Sequence, residues 1–301
     1  REHRYQPNTL ATTLRSSRGA RSKLIGVILP QFTHYYFSCI LTGIEETCSK
    51  HGYQIIVAQS GDSYEREREI IESMRQTRVC GFIVSQAKET TCYDHFHEVV
   101  KDGSPIVFFD RICTDIITNR VVVDDYTGAF TATEHLIKTG CHRICFFGAA
   151  MNLEISKNRY NGYRDALLKY KLPVDKDLFR ICDNREEAEK LTPELMALEN
   201  RPDGFFTIND DTALGVLYTC KRLGYNIPDD VSICGFTDGI RAKSCDPQLT
   251  TVEQRGYDVG VAAATCLIEE YEAEGEEKQK FRNRIIKTKL IVRGTTKPLT
   301  E

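Results

Sequence analysis

Short apolar runs alternate with longer segments of helical periodicity along most of the chain. Runs at 24–29, 54–58, 81–85, 105–109, 143–147, 204–208 and 231–236 have the length and continuity of strands covered on both faces. Between them, 37–50, 64–77, 94–101, 128–138, 159–170, 186–199 and 213–223 predict helices. Gly52 and Gly224 stand where two of these patterns stop, as left-handed caps do. Strands that alternate with helices imply a parallel, doubly wound sheet. The series starts afresh after Val121-Val122-Val123 and Asp124-Asp125, which predicts two similar lobes with a cleft between them. In open α/β sheets ligands bind outside the carboxyl ends of the strands. The polar or aromatic residues there are therefore the candidate site: Tyr36 and Phe37, Ser60 and Asp62, Ser85, Asp110 beside Arg111, then Asn209 and Asp210.

The segment 202–236 organises the rest, because it reads as one complete strand, helix and strand unit. Within it, Phe206-Thr207-Ile208-Asn209-Asp210 with Ala213-Leu214-Gly215, Leu223-Gly224, Ile227-Pro228-Asp229-Asp230-Val231-Ser232 and Gly235-Phe236 resemble the effector domain of the lac repressor (LacI/GalR) family. The resemblance implies two doubly wound α/β lobes like those of type I periplasmic binding proteins. One comprises 24–123 plus about 255–282 and the other 124–254 plus about 283–294, with 295–301 a tail. It further implies a late helix near 256–272 in the first lobe, a last strand at 284–292 in the second, and a hinge at crossovers near Val123, Gln254 and Arg282.

The same resemblance implies effector contacts. Arg159, three residues before Gly162, falls where the family's arginine meets the ligand, and a guanidinium offers a fixed fork of donors to hydroxyls or anions. The plain alternative is a surface arginine, and on either reading truncation to alanine should spare the fold. Asp238 follows Gly235-Phe236 where the family shows two acids, with Thr237 in place of the first. Gln254 falls at a ligand position beside a crossover, or is a solvated hinge residue. Asn209 and Asp210 could bond paired hydroxyls, although Asp210 serves equally well as an N-cap. Tyr36 and Phe37 form an apolar wall for a sugar ring or belong to the core.

Residues 1–23 carry six basic side chains against Glu2 alone, a net +5 that leaves −8 on the remainder of a chain whose total is −3. A basic head suits a polyanion, and an acidic body argues against the whole surface serving that role. Asn8 after Pro7 could cap a short helix with Leu10 and Leu14 on one face. So short a helix is marginal alone, and a disordered linker is the alternative. Tyr5-Gln6-Pro7-Asn8 resembles the family's hinge, which implies DNA contacts from Asn8, Thr9, Leu10, Ala11, Leu14 and Arg15, with Leu14 as a minor-groove wedge. The base-reading headpiece is expected before Tyr5.

Composition narrows the rest. At about 150 residues per domain, 301 residues give about two domains. Twelve dispersed cysteines without a Cys-x-x-Cys pair read as reduced core residues of a cytoplasmic protein. No run approaches the roughly 20 apolar residues that span a bilayer, and the first residues do not read as a signal peptide. Cys141-His142-x-x-Cys145 lacks a second ligand pair, and neither phosphate-binding glycine signatures nor a nucleophile motif is present. No cofactor, metal or catalytic residue is therefore expected. The expected function is DNA-binding transcription regulation by a cytoplasmic homodimer whose core binds a small molecule, a sugar or sugar derivative, and so controls operator binding. A transport-associated sugar-binding protein of the same fold is the alternative.

Overall fold

The computed structural model describes residues 22–273 and 281–299. The expected DNA contacts Asn8, Thr9, Leu10, Ala11, Leu14 and Arg15 lie outside the described residues. In chain order the elements are β1 (Leu24–Leu29), α1 (Tyr35–Lys50), β2 (Gln54–Gln59), α2 (Tyr64–Gln76), β3 (Gly81–Val84), α3 (Asp94–Lys101), β4 (Ile106–Phe109) and β5 (Asn119–Val123). They continue as α4 (Asp125–Lys138), β6 (Ile144–Gly148), α5 (Glu154–Lys169), β7 (Phe179–Ile181), α6 (Arg185–Met196), β8 (Gly204–Thr207), α7 (Asp210–Arg222), β9 (Ser232–Thr237), α8 (Ile240–Ser244), β10 (Thr250–Glu253), α9 (Gly256–Glu272), β11 (Asn283–Ile286) and β12 (Lys289–Ile291).

Two six-stranded sheets result, one ordered β11-β5-β4-β3-β1-β2 and the other β12-β10-β9-β8-β6-β7. In the first, β1 runs parallel to β2 and β3, with Ile25 opposite Ile55 and Gly81. In the second, β6 is parallel to β7 and β8, β8 to β9, and β9 to β10, while β12 is antiparallel to β10. Two doubly wound α/β layers follow from the apolar runs because both faces of each run are covered. The described chain separates into two compact units. Unit 1 holds the chain up to Phe32 with Leu41–Arg120 and Gly260–Asn283, and unit 2 holds Thr33–Ile40, Val121–Val259 and the chain from Arg284 onward.

Local sequence explains several starts and stops. Ser63, Asp124, Asn184 and Asn209 each accept a backbone N–H from the first turn of the helix they cap. Helix α5 begins at Glu154, five residues before the expected start, because Glu154–Asn158 is polar and gives no apolar period to read. The expected strand 284–292 is two strands: β11 joins the first sheet and β12 the second, with the turn of direction at Lys287-Thr288. The short β7, β10 and α8 have no strong period and were not expected as elements.

The core of unit 2 is largely aromatic. Phe146 stacks on Phe206 with ring centroids 5.0 Å apart and on Tyr163 at 5.3 Å, and the buried Tyr163 hydroxyl donates to the Ile144 carbonyl at 2.7 Å. Helices α4 and α5 approach so closely that a Cβ on Gly162 would lie 2.4 Å from the Tyr126 carbonyl oxygen. That contact fixes which turn of α5 faces α4, and one turn earlier on the helix stands Arg159.

Candidate ligand site at the strand ends

Arg159 is buried within α5 and is not the surface arginine of the alternative reading. Its Nε donates to Asp125 at 2.7 Å, one terminal nitrogen donates to the Ile208 carbonyl at 2.5 Å, and its guanidinium lies 3.8 Å above the centre of the Phe236 ring. Asp125, itself buried, opens α4, so one side chain ties together α5, α4 and the ends of β8 and β9. Breaking a buried ion pair of this kind by removing one partner costs about 3–5 kcal/mol. The expectation that Arg159→Ala spares the fold is therefore corrected, since the variant would take the guanidinium away from a buried ion pair with Asp125.

The capping role expected as an alternative for Asp210 falls to its neighbour. Asn209 Oδ1 accepts the Thr212 N–H at 2.8 Å, and its Nδ2 donates to the Asp183 carbonyl at 2.7 Å. Asp210 is free for a different task. One carboxyl oxygen accepts the Thr251 hydroxyl at 2.5 Å, and the other accepts the Gly239 N–H at 2.8 Å. A Cβ on Gly235 would stand 2.5 Å from Asp210 Oδ1, so glycine there makes room for the carboxylate. Complete burial raises the Asp210 carboxyl to about 6, against the opposing pull of those two donors.

Asp238 and Gln254 complete this set. Asp238 holds a left-handed φ of 61° and accepts from Arg293 at 2.6 Å, with Lys243 3.1 Å from its other oxygen. Gln254 is buried and not a solvated hinge residue, and its Oε1 accepts the Thr237 hydroxyl at 3.1 Å. Thr237, the departure from the two-acid pattern, thus bonds another residue of the same set. Tyr36 and Phe37 lie within α1, in the part grouped with unit 2, and both are buried, which favours core over wall.

Unit 1 gathers its own strand-end residues. Ser60, Asp62, Ser85 and Asp110 follow β2, β3 and β4 as expected. Asp62 and Asp110 adopt positive φ values of 65° and 56°, an uncommon conformation for non-glycine residues that recurs at functional sites. Asp62 accepts from the Arg111 guanidinium in a short contact and from the Lys88 N–H at 3.1 Å. Among the described residues the fully buried Ser85 hydroxyl has no hydrogen-bond partner, nor does Gln86 Oε1, nor Arg111 Nε. Such atoms cost free energy unless a ligand or water satisfies them.

Asp125, Phe236, Gln86, Arg111, Thr251 and Arg293 were missed as site residues. Asp125 and Arg111 had a signal, since each directly follows a strand, but their partners are far away in sequence. All twelve cysteines are free, and ten of them are buried. Burial pushes the thiols of Cys48, Cys80, Cys182 and Cys220 up to about 12. Cys141 and Cys145 enter different core clusters of unit 2.

A sequence profile of the periplasmic binding protein-like domain matches residues 133–296, more than half of the chain. The ribose operon repressor of Halalkalibacterium halodurans is 31% identical over 99% of this chain and 86% of its own length. The chain belongs to the LacI family. The HTH-type transcriptional repressor PurR of Vibrio parahaemolyticus is 28% identical over 99% of this chain and 87% of its own length. A LacI-family transcriptional regulator of Enterococcus faecium, solved with bound ribose, superposes with a TM-score of 0.81 at 25% identity, covering 92% of this chain and all of that one. This LacI-family chain is accordingly the effector-binding core of a DNA-binding transcriptional regulator, which decides between the two readings of the sequence. Among the described residues no helix is long and apolar enough to cross a membrane.

Proposed function

We propose that the effector is a pentose or pentose derivative, read by the strand-end groups of unit 2, and that its occupancy sets the affinity of a homodimer for operator DNA. Arg159 carries the reading. Its buried guanidinium is held flat on Phe236 and spends three of five N–H donors on Asp125 and Ile208. Two remain for ligand hydroxyls. Asp210, Asp238 and Gln254 add acceptors at the neighbouring strand ends. Ser60, Asp62, Ser85 and Asp110 in unit 1 are proposed separately as strand-end groups available to a ligand, and Tyr36 and Phe37 as supporting core. Support for a pentose comes from the names of two similar proteins, a ribose operon repressor and a ribose-bound regulator.

The proposed role is binding and not catalysis, in a cytoplasmic setting, with no cofactor required. A ligand acts by preferring one of two arrangements of the core, which shifts operator affinity by the difference. The homodimer is proposed from the likeness to the LacI family, and Leu198, Tyr218, Leu223 and Ile240, on or beside α6, α7 and α8, are exposed apolar residues available to it. The test is a thermal-shift panel of pentoses, hexoses and nucleosides. A ligand that binds only the folded state raises the melting temperature by mass action. Ribose or another pentose should give the largest rise, and a panel led by hexoses or free nucleobases would overturn the assignment.

A further inference from the structure

Unit 1 carries a second concavity, away from its strand-end residues. A cleft of about 270 Å³ opens beside the start of β4, against the last turn of α9. Pro105 and Ile106 are at the beginning of that strand, whereas Asp110 and Arg111 follow its end, so the cleft and the strand-end residues are separated by the strand's length, about 13 Å. Polar and apolar groups share the walls, Ser104 and Thr118 standing beside Pro105 and Ile106, and the rim carries Val100, Ile117 and Phe281, exposed at 42%, 79% and 42%, with Tyr271 beside them. Three large apolar side chains clustered around one opening are unusual on a soluble surface and mark a binding site more often than chance.

One charged group faces this lining. Glu270 reaches the cleft from α9 and is met there by a neutral amide, the Asn119 Nδ2 donating to its Oε2 at 2.6 Å. Among the described residues, no lysine, arginine or histidine lines the cleft. Burial pushes the Glu270 carboxyl above the usual carboxylate range, against the lowering effect of Asn119. A half-buried acid beside an apolar rim, with a hydrogen bond and, among the described residues lining the cleft, no opposite charge, is complementary to a cation that brings its own apolar surface.

We propose that this cleft is a second ligand site, specific for a small primary amine on an aromatic or branched apolar body. The ammonium takes Glu270 and the body fills the space between Tyr271, Phe281 and Ile117. Its volume is at the small end for ligand pockets and admits about one ring with a short side chain. The site also has a route to the rest of the core. Asn119 Oδ1 accepts the Arg282 N–H at 2.8 Å while Arg120 N–H donates to the Arg282 carbonyl at 3.0 Å. The division of the chain falls within the two strands that these bonds adjoin, after Arg120 in β5 and after Asn283 in β11. A ligand that competes with Asn119 for Glu270 therefore acts on the strand pair in which the division falls.

The experiment is calorimetric titration of the chain with 2-phenylethylamine, with phenylacetate and 2-phenylethanol as isosteres of opposite and zero charge. The amine should bind saturably at about millimolar affinity, as expected for a ligand of this size. Each isostere should bind at least about tenfold more weakly. In Glu270→Gln, which keeps the contact to Asn119, amine affinity should fall to that of the alcohol. Ile117→Arg, at an exposed position that cannot harm the core, should weaken the amine by a similar factor through charge repulsion. Equal binding of the three probes, an unaltered amine affinity in Glu270→Gln, or no amine binding at all would overturn the proposal.

Discussion

The strand ends of the two units differ in how far their polar groups are already satisfied. In unit 2 the charged and amide groups form a closed network: Arg159 with Asp125 and Ile208, Asp210 with Thr251 and Gly239, Asp238 with Arg293 and Lys243, Gln254 with Thr237. The hydroxyls of Ser156 and Thr212, outside that network, are buried with no partner among the described residues. In unit 1 the Asp62 and Arg111 pair coexists with buried atoms that have no partner among the described residues, Ser85 Oγ, Gln86 Oε1 and Arg111 Nε. A closed network holds its groups in place before a ligand arrives, and the ligand needs only the donors left over. An open one is paid for in stability and is repaid when something fills it. Substitutions in unit 2 should therefore cost folding energy, whereas substitutions of the open atoms in unit 1 should cost little or stabilise.

The largest effect should come from separating Arg159 and Asp125. Arg159→Ala or Asp125→Ala is expected to lose about 3–5 kcal/mol in urea unfolding. The double change to a leucine and methionine pair should recover most of that while still removing effector binding. If the two single substitutions left the unfolding midpoint unchanged, the pair would not be part of a closed network.

Asp210 predicts a pH dependence of definite sign. Its folded-state carboxyl lies near 6 against an ordinary value of 3.8, so the ionised form is the one penalised by folding. Stability from this group is fully present below about 3.8 and is lost as pH rises to about 6, on the order of 3 kcal/mol in all. Asp210→Asn removes that slope. Denaturation midpoints of the two proteins from pH 4 to pH 7 should diverge in favour of asparagine, and parallel curves would count against a buried, raised carboxyl.

Smaller effects sharpen the contrast. Asn209→Ala removes the cap of α7 and should cost about 1 kcal/mol, with ligand affinity changed less than by Arg159 substitutions, because both ends of the Asn209 amide are already spent. Ser85→Ala should be neutral or stabilise by up to about 1 kcal/mol, since a buried hydroxyl without a partner is removed. A clear loss of stability in Ser85→Ala would mean that the hydroxyl has a partner in the folded protein, and the contrast between the units would fail there.

Much of this fold was legible because doubly wound sheets write themselves plainly: a continuous apolar strand, a polar residue at its end, then a period of 3.6. That regularity located Ser60, Asp62, Ser85, Asp110, Asn209 and Asp210 at strand ends without any structure. What the pattern did not carry was pairing. Asp125 and Arg159 are 34 positions apart, and Asp238 and Arg293 are 55 apart. Nothing local in either sequence segment says that the charges meet. The division of labour between Asn209 and Asp210 was likewise invisible, because both are good caps and only the backbone decides which faces the first turn. The split of 284–292 into β11 and β12 escaped for a related reason, since one extended pattern can serve two sheets when the chain crosses between them.

Arg159, held by Asp125 and Phe236, is proposed as the principal effector contact for a pentose. Calorimetric titration of D-ribose into the wild-type chain and into Arg159→Lys tests it most directly, because lysine keeps the charge beside Asp125 but has no planar fork. Saturable ribose binding is expected in the wild type and a loss of at least about tenfold in Arg159→Lys, with the melting temperature of the unliganded variant lowered only modestly. Ribose binding of equal strength in both proteins would contradict it.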